Sequence, residues 1–254
     1  MKFASIFVLI LLPVLVIAAT IRETKELVLS ADGLDTFVAN CGAGSLNLHG
    51  AVDRNEIKVT AQIEVEDIEA NDFQEFVQKN IRLKLEKQGK KAILQSDIEP
   101  SAIVAPEARI NLTIEIPKTI NVKISDGSGS IIVDKLRGTL KIDDDTGSIK
   151  IKNIIGEVFV DDSSGSIDIE DIKGNLFIKD GSGSINVEFV TGDMQIKDGS
   201  GSMTIEDIDG NVNVTDDSGS IDIHDVKKNV FIRQAGSGEL NIEGVKGKVT
   251  IRGE

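Results

Sequence analysis

Six aspartates recur at equal intervals in the second half of the chain, each three positions before a glycine. They are Asp126, Asp144, Asp162, Asp180, Asp198 and Asp216, and a seventh repeat has Ala235 in the same place. Oxygen ligands suit Ca²⁺, which takes six to eight of them. If the repeats stack, the carboxylates lie about 4.8 Å apart along one line. The spacing therefore predicts, as one candidate, a row of Ca²⁺ sites between successive turns.

The same aspartates also suit a purely structural role. An Asp side chain can accept hydrogen bonds from the N–H groups just after it and so close a turn. Neighbouring carboxylates at this spacing repel each other by about 0.9 kcal/mol in water, so some compensation is required. The known calcium-binding repeat has the pattern G-G-x-G-x-D, whereas here the aspartate precedes Gly-Ser-Gly. Turn formation and calcium binding both remain open at this stage.

The elements that must position these aspartates are short, regular strands. The glycine three positions after each aspartate recurs at the same interval, from Gly129 to Gly219, and a second glycine series falls halfway between. After Gly147, Ile149 and Ile151 alternate with polar residues, and the half-unit that follows alternates in the same way. Alternation with a period of two indicates a strand with one inward face. The chain is predicted to be an all-β parallel β-solenoid of seven 18-residue coils, each made of two nine-residue half-units.

Three regions are expected along the chain. Residues 1–19 contain an apolar run shorter than a spanning helix needs, which predicts a cleaved signal peptide, with an uncleaved anchor as the alternative. Residues 20–125 read as an irregular β segment, continuous with the solenoid, with a short helix near residues 67–80. The seven regular coils occupy residues 126–254. The expected location is the periplasm or the cell surface, with no membrane insertion after cleavage.

At this point the pattern resembles a known bacterial family. The repeats of the type GSGSIxVxxVxGxLxI, preceded by the segment IEIPKTINVKI at residues 114–124, are similar to the bacterial "putative adhesin" family, a domain of unknown function with β-solenoid repeats. The resemblance covers about residues 25–254. It implies an exported, non-enzymatic protein located at the cell surface.

Two phenylalanines occupy equivalent outward positions in adjacent coils. Phe159 and Phe177 are predicted to stack and to form a contact patch for a protein or a glycan partner. Partial cover by the N-terminal segment or by the helix is the competing interpretation.

Charge and composition narrow the functional class. The net charge is −14, which argues against nucleic acid and against docking on an anionic membrane. The only histidines, His49 and His224, fit no Ser/His/Asp or metal-ligand spacing. We therefore expect no enzyme, with a glycan-processing β-helix as the weaker alternative. The single cysteine, Cys41, is expected to be a small buried residue.

The last strand of the pattern, Val249 to Ile251, has no recognisable capping segment after it. An open strand edge invites pairing with another chain. The sequence therefore predicts a homodimer formed end to end through the C-terminal coil.

Overall fold

The computed structural model describes residues 20–99 and 106–252. The predicted signal peptide, residues 1–19, lies outside the described residues. The first part of the chain holds eight strands and one helix: β1 (Ile21–Ser30), β2 (Thr36–Cys41), β3 (Leu46–Ala51), β4 (Glu56–Val65), α1 (Ala70–Asn80), β5 (Ile81–Gln88), β6 (Lys91–Ile98), β7 (Ala108–Pro117) and β8 (Asn121–Asp126).

The remaining strands are short and evenly spaced. They are β9 (Gly129–Asp134), β10 (Leu140–Asp144), β11 (Gly147–Ile155), β12 (Val158–Asp162), β13 (Gly165–Lys173), β14 (Leu176–Asp180), β15 (Gly183–Val190), β16 (Met194–Asp198), β17 (Gly201–Ile208), β18 (Val212–Asp216), β19 (Gly219–Val226), β20 (Val230–Gln234), β21 (Leu240–Ile242) and β22 (Val249–Ile251).

These strands form two sheets of 11 strands each. Sheet 1 has the order β1-β4-β7-β3-β9-β11-β13-β15-β17-β19-β21, and sheet 2 has the order β22-β20-β18-β16-β14-β12-β10-β8-β2-β6-β5. Each regular coil contributes one strand to each sheet and pairs in parallel with the coils on either side. The register advances by one full repeat from coil to coil, because Leu140 pairs with Val158 and Val158 pairs with Leu176. The predicted parallel β-solenoid of about seven coils is confirmed.

The first coils are not stacked in chain order. Strands β2 and β3 lie between the pair β6 and β7 and the pair β8 and β9. Strand β4 runs antiparallel to both β1 and β7, and β5 runs antiparallel to β6. The same two sheets thus run through residues 20–125 and the regular coils, and the boundary near residue 125 stays a prediction. The predicted helix is present, and it buries Phe73 and Val77.

Aliphatic columns fill the space between the sheets. In one coil the inward side chains are Leu140, Ile142, Ile149, Ile151 and Ile154, and each is at most 3% exposed. Stacking removes these apolar surfaces from water, which a single coil could not do, so each coil depends on its neighbours.

The glycine three positions after each aspartate is required by the stacking itself. Gly165 has a φ of 147°, and a Cβ placed on it would lie 1.6 Å from the carbonyl oxygen of Gly147 in the preceding coil. No side chain fits at that distance, and L-residues rarely adopt this φ. This close approach explains why the motif keeps its second glycine in register.

Candidate functional site

The six aspartates lie inside the solenoid. Each ends a strand of sheet 2 and continues the inward alternation of that strand, as in Leu140, Ile142 and Asp144. All six are between 0% and 6% exposed. They pair in register from Asp126 through Asp216, so the predicted stacking of the column is present. We call these six residues the aspartate column.

The column continues into the irregular coils with other residue types. Cys41 pairs with Ser96, and the pairing of Asn40 with Ser125 places Cys41 beside Asp126. Burial is the main cause that raises the pKa of the Cys41 thiol, and the charge of Asp126 adds to it. A thiol with a raised pKa is a poor nucleophile and metal ligand at neutral pH.

Hydrogen bonds satisfy only part of the aspartate column. The backbone N–H of Ser182 donates to Oδ1 of Asp180 at 3.2 Å, and Ser200 and Ser218 do the same for Asp198 and Asp216. These are the turn-closing bonds that the sequence suggested. Several buried oxygens nevertheless have no hydrogen-bond partner, including both oxygens of Asp144 and of Asp162.

Burial of these carboxyls with few hydrogen-bond partners raises their pKa values. Desolvation is the largest cause that raises the pKa of Asp144 to about 7 and that of Asp162 to about 6, and the charge of the next aspartate contributes in each case. The pKa of Asp126 is raised to about 7 and that of Asp198 to about 6 for the same reasons. The pKa values of Asp180 and Asp216 are also raised, mainly by desolvation. The carboxyls of the column therefore stay protonated to a higher pH than exposed aspartates do, and Asp126 and Asp144 are partly protonated near neutral pH.

Each coil therefore has one inward carboxyl, at the turn that follows its strand in sheet 2. Within the part of the chain that the structure describes, no three His, Cys, Asp or Glu residues are grouped closely enough to hold a metal ion. Calcium binding by the aspartate column stays a prediction. The sequence analysis did not predict that these side chains point inward. The period-two pattern nevertheless indicates it, because Asp144 stands two residues after the inward Ile142.

The outward face of sheet 2 carries the predicted aromatic pair. The rings of Phe159 and Phe177 stack with their centroids 4.9 Å apart and their planes 7° from parallel. Both side chains are half-buried. Their spacing is that of the strands themselves, because Phe159 pairs with Phe177 across β12 and β14.

A shallow groove of about 380 Å³ surrounds this stack, and we call it the aromatic groove. Lysines line its edges, namely Lys123, Lys141, Lys179 and Lys197. The Nζ of Lys141 lies 4.9 Å from the centre of the Phe159 ring, within cation–π range. Lys179 is paired with Asp161 at 2.8 Å. Among the described residues Lys123, Lys141 and Lys197 form no ion pair.

The groove continues along the solenoid axis. A second depression of about 440 Å³ shares Phe177 and Gln195 with the first and extends to Phe231. The outward positions of sheet 2 thus form a strip that runs across several coils. A strip of this kind can accommodate an extended ligand lying along the axis.

The fold and the groove define a class of protein: a parallel β-solenoid with an aromatic groove on the outer face of one sheet. The chain belongs to the Toastrack DUF4097 family, whose model matches residues 51–244. The resemblance suggested by the repeats is confirmed. No curated protein matches the chain by sequence.

Solved structures share the fold. A "putative adhesin" from Parabacteroides merdae is 17% identical, with a TM-score of 0.54 over 91% of this chain and 95% of that chain. A "putative lipid binding protein" from Parabacteroides distasonis is 16% identical, with a TM-score of 0.53 over 92% of this chain and 95% of that chain. At these identities the likeness shows the fold alone. Across residues 20–99 and 106–252, no helix is both long and apolar enough to cross a membrane.

Proposed function

We propose that this protein is an exported, non-enzymatic binding module that presents the aromatic groove to a surface partner. The observation that carries the proposal is the stacked, half-buried pair of Phe159 and Phe177 at the centre of that groove. Apolar rings held outward on a rigid sheet desolvate readily when a partner covers them. The names of the structural neighbours, adhesin and lipid binding protein, support a binding role rather than catalysis.

A glycan chain with acidic groups is the partner that the groove fits best. The two rings cover part of each other's faces, so a sugar chain would pack its C–H groups against the outer surface of the stack, which extends over one strand spacing along the axis. The unpaired Lys123, Lys141 and Lys197 supply positive charge beside the rings. The groove lining sets four lysines against Asp143 and Asp161, so it is locally positive although the chain as a whole carries a net charge of −14. A protein surface is the competing partner.

The histidines support the non-enzymatic assignment. His49 is 3.3 Å from Asp134, and His224 is 2.8 Å from Asp222. They lie on β3 and β19, six strand spacings apart in sheet 1, or about 29 Å. Two histidines so far apart do not act on one substrate atom. A hydrolysis assay on every glycan that binds tests the alternative of a glycan-processing enzyme.

The test is binding to an immobilised panel of neutral and uronate-containing glycans. The double variant Phe159→Ala/Phe177→Ala is expected to lose binding at least tenfold, since truncating an aromatic anchor at the centre of an interface costs about 2 kcal/mol or more and about 1.4 kcal/mol is a factor of ten. Phe189→Asn is the control, because Phe189 is exposed but lies on β15 in sheet 1, outside the groove. Equal binding by the double variant and the parent protein would refute the proposal.

Export is tested separately. We expect the leader at residues 1–19 to be removed, and mass spectrometry of the protein recovered from the periplasm or the cell surface would give the new N-terminus. A mature chain that still begins at Met1 would contradict a cleaved signal peptide.

Calcium bound in the aspartate column is a second candidate function. The specific observation in its favour is the set of buried carboxylate oxygens without hydrogen-bond partners. Such oxygens are costly to desolvate unless a proton or a cation compensates them. The measurement that separates a proton from a cation is a comparison of stability in Ca²⁺ and in EDTA at two pH values.

A further inference from the structure

A second groove lies at the turn that leads from sheet 1 back to sheet 2. It has a volume of about 250 Å³, and its floor includes the aliphatic Leu136 and Ile154. Its basic side chains are Lys118, Lys135, Arg137 and Lys173, and its one acidic side chain is Asp171. We call it the basic groove. It shares no lining residue with the aromatic groove.

The solenoid register aligns these cations. The backbone N–H of Arg137 donates to the carbonyl oxygen of Lys118 in the coil before it, Arg137 bridges to Ile155, and Ile155 pairs with Lys173. Arg137, Ile155 and Lys173 therefore occupy one column on successive coils, about 4.8 Å apart, and Lys118 lies one residue out of that column in the turn before Arg137. The next members of the column are Thr191 and Asp209, so the positive charge is confined to the first coils.

Two exposed aliphatic side chains line the same groove. Val52 is 62% exposed and Ile155 is 43% exposed. Lys118, Arg137 and Lys173 form no ion pair within the described residues, and Lys135 is paired only with the adjacent Asp134 at 3.5 Å. Uncovered apolar side chains and unpaired cations thus share one small surface.

We propose that the basic groove is a docking site for the surface of an anionic phospholipid membrane. Charge complementarity identifies the occupant: the cations face phosphate headgroups while Val52 and Ile155 enter the boundary with the acyl chains. The groove has no aromatic lining residue, so it lacks the stacking surface that favours a sugar chain. This proposal does not depend on the aromatic groove.

The net charge of −14 does not prevent such docking. At physiological ionic strength the Debye length is about 8 Å, so charges several coils away are screened from the contact. What the membrane meets is the local set of four cations together with Asp171 in the groove and Asp134 beside Lys135, which is still net positive. The sequence-level exclusion of anionic membranes, drawn from the total charge, is therefore replaced here by a local argument.

The test is flotation of the full chain with vesicles of phosphatidylcholine alone or of an equimolar mixture of phosphatidylcholine and phosphatidylglycerol, at low and at high salt. Binding to the anionic vesicles is expected, and it should weaken at high salt. Each basic residue near an anionic surface contributes about fivefold in affinity, so Arg137→Gln/Lys173→Gln should lower binding about 25-fold. The leader at residues 1–19 is common to all variants, and its own contribution is measured as the binding to vesicles of phosphatidylcholine alone, which is subtracted before variants are compared.

The matched control is Lys90→Gln/Lys248→Gln, which changes the net charge equally at exposed sites outside the basic groove. This control should bind like the parent protein. Val52→Ser/Ile155→Ser should weaken binding while the salt dependence stays the same. Circular dichroism establishes that each variant is folded before its binding is compared.

Three results would overturn the proposal: equal binding to neutral and anionic vesicles, equal losses in the Arg137/Lys173 variant and the control, or full competition by millimolar inorganic phosphate. The last result would identify a small-anion site instead of a lipid surface.

Discussion

Replacing Asp162 by Asn is expected to stabilise the protein at pH 8 and to leave its stability unchanged near pH 4. Asp162 is 3% exposed, and neither of its carboxylate oxygens has a hydrogen-bond partner. Burial raises its pKa from 3.8 to about 6. The folded protein therefore binds this proton more tightly than the unfolded chain does.

The sign of the pH dependence follows from that difference. Unfolding releases the proton between pH 3.8 and about 6, so the free energy of unfolding falls as the pH rises through this interval. A shift of about two pKa units corresponds to about 3 kcal/mol lost once Asp162 is ionised, at about 1.36 kcal/mol per unit. Asn removes the charge and adds an N–H that can donate to Asp144 or Asp180. The expected gain at pH 8 is therefore up to about 3 kcal/mol.

The assay is urea unfolding followed by far-ultraviolet circular dichroism, at pH 4 and pH 8, in EDTA. Asp143→Asn is the matched control, because Asp143 belongs to the neighbouring strand, carries the same charge and is exposed. Exposed substitutions of this kind usually change stability by less than about 0.5 kcal/mol. If the Asp162 variant is no more stable than the parent protein at pH 8, the account of a desolvated, repelling column is wrong.

Bound calcium would reverse the expected effect of Asp162→Asn on stability at pH 8. If Ca²⁺ binds the ionised column, the parent protein should gain about 2.7 kcal/mol at about 100 times the dissociation constant, at pH 8. Asp162→Asn and Asp180→Asn should then lose that gain, because each removes a charged ligand. The same unfolding curves in millimolar Ca²⁺ and in EDTA therefore distinguish a bound cation from a bound proton.

Three further predictions concern the stacking. Gly165→Ala should abolish soluble, folded protein, since its Cβ would lie 1.6 Å from the carbonyl oxygen of Gly147; unchanged circular dichroism and yield would contradict the predicted clash. Phe189 has a φ of 57°, a left-handed conformation that Asn adopts more easily than Phe, and its equivalents in other coils are mostly Asp or Asn. Phe189→Asn should therefore raise the free energy of unfolding by about 1 kcal/mol. A lower midpoint in urea would show that the exposed ring has a packing role. The predicted end-to-end dimer would form through the edge strand β22, where the Ile251 side chain is 52% exposed. In that case the parent protein should dimerise at high micromolar concentration in sedimentation equilibrium, and Ile251→Lys should stay monomeric.

The regular coils could be predicted from the sequence because every coil requires the same residue types at the same positions. Period-two alternation fixes which face is buried, and the glycine series fixes the register, as at Gly147 and Gly165. The aromatic stack followed from the same logic, since equal positions in adjacent coils must be neighbours. The 18-residue spacing of Phe159 and Phe177 was therefore enough to predict that their rings stack.

The order of the first coils could not be predicted in this way. Strands β2 and β3 enter between coils that come later in the chain, so their neighbours are set by long-range pairing. No local pattern near Leu46 or Val38 encodes that β7, β9, β6 and β8 will flank them. The basic groove was missed for a related reason, because Val52, Lys118 and Lys173 are distant in sequence and meet only through this stacking.

The aspartate column poses a question that turn formation alone does not answer. The bond from the Ser182 N–H to Asp180 closes the turn, and the side-chain oxygen of Asn would accept that bond equally well. Asn would also avoid the desolvation and repulsion that raise the pKa values of the column. A carboxyl repeated in six coils therefore points to a role for its ionisation, either as a proton that is released near neutral pH or as a ligand for a cation. If Asp162→Asn is folded and more stable in EDTA at pH 8, the turn does not need the charge, and the response of the parent protein to Ca²⁺ then decides between the two roles.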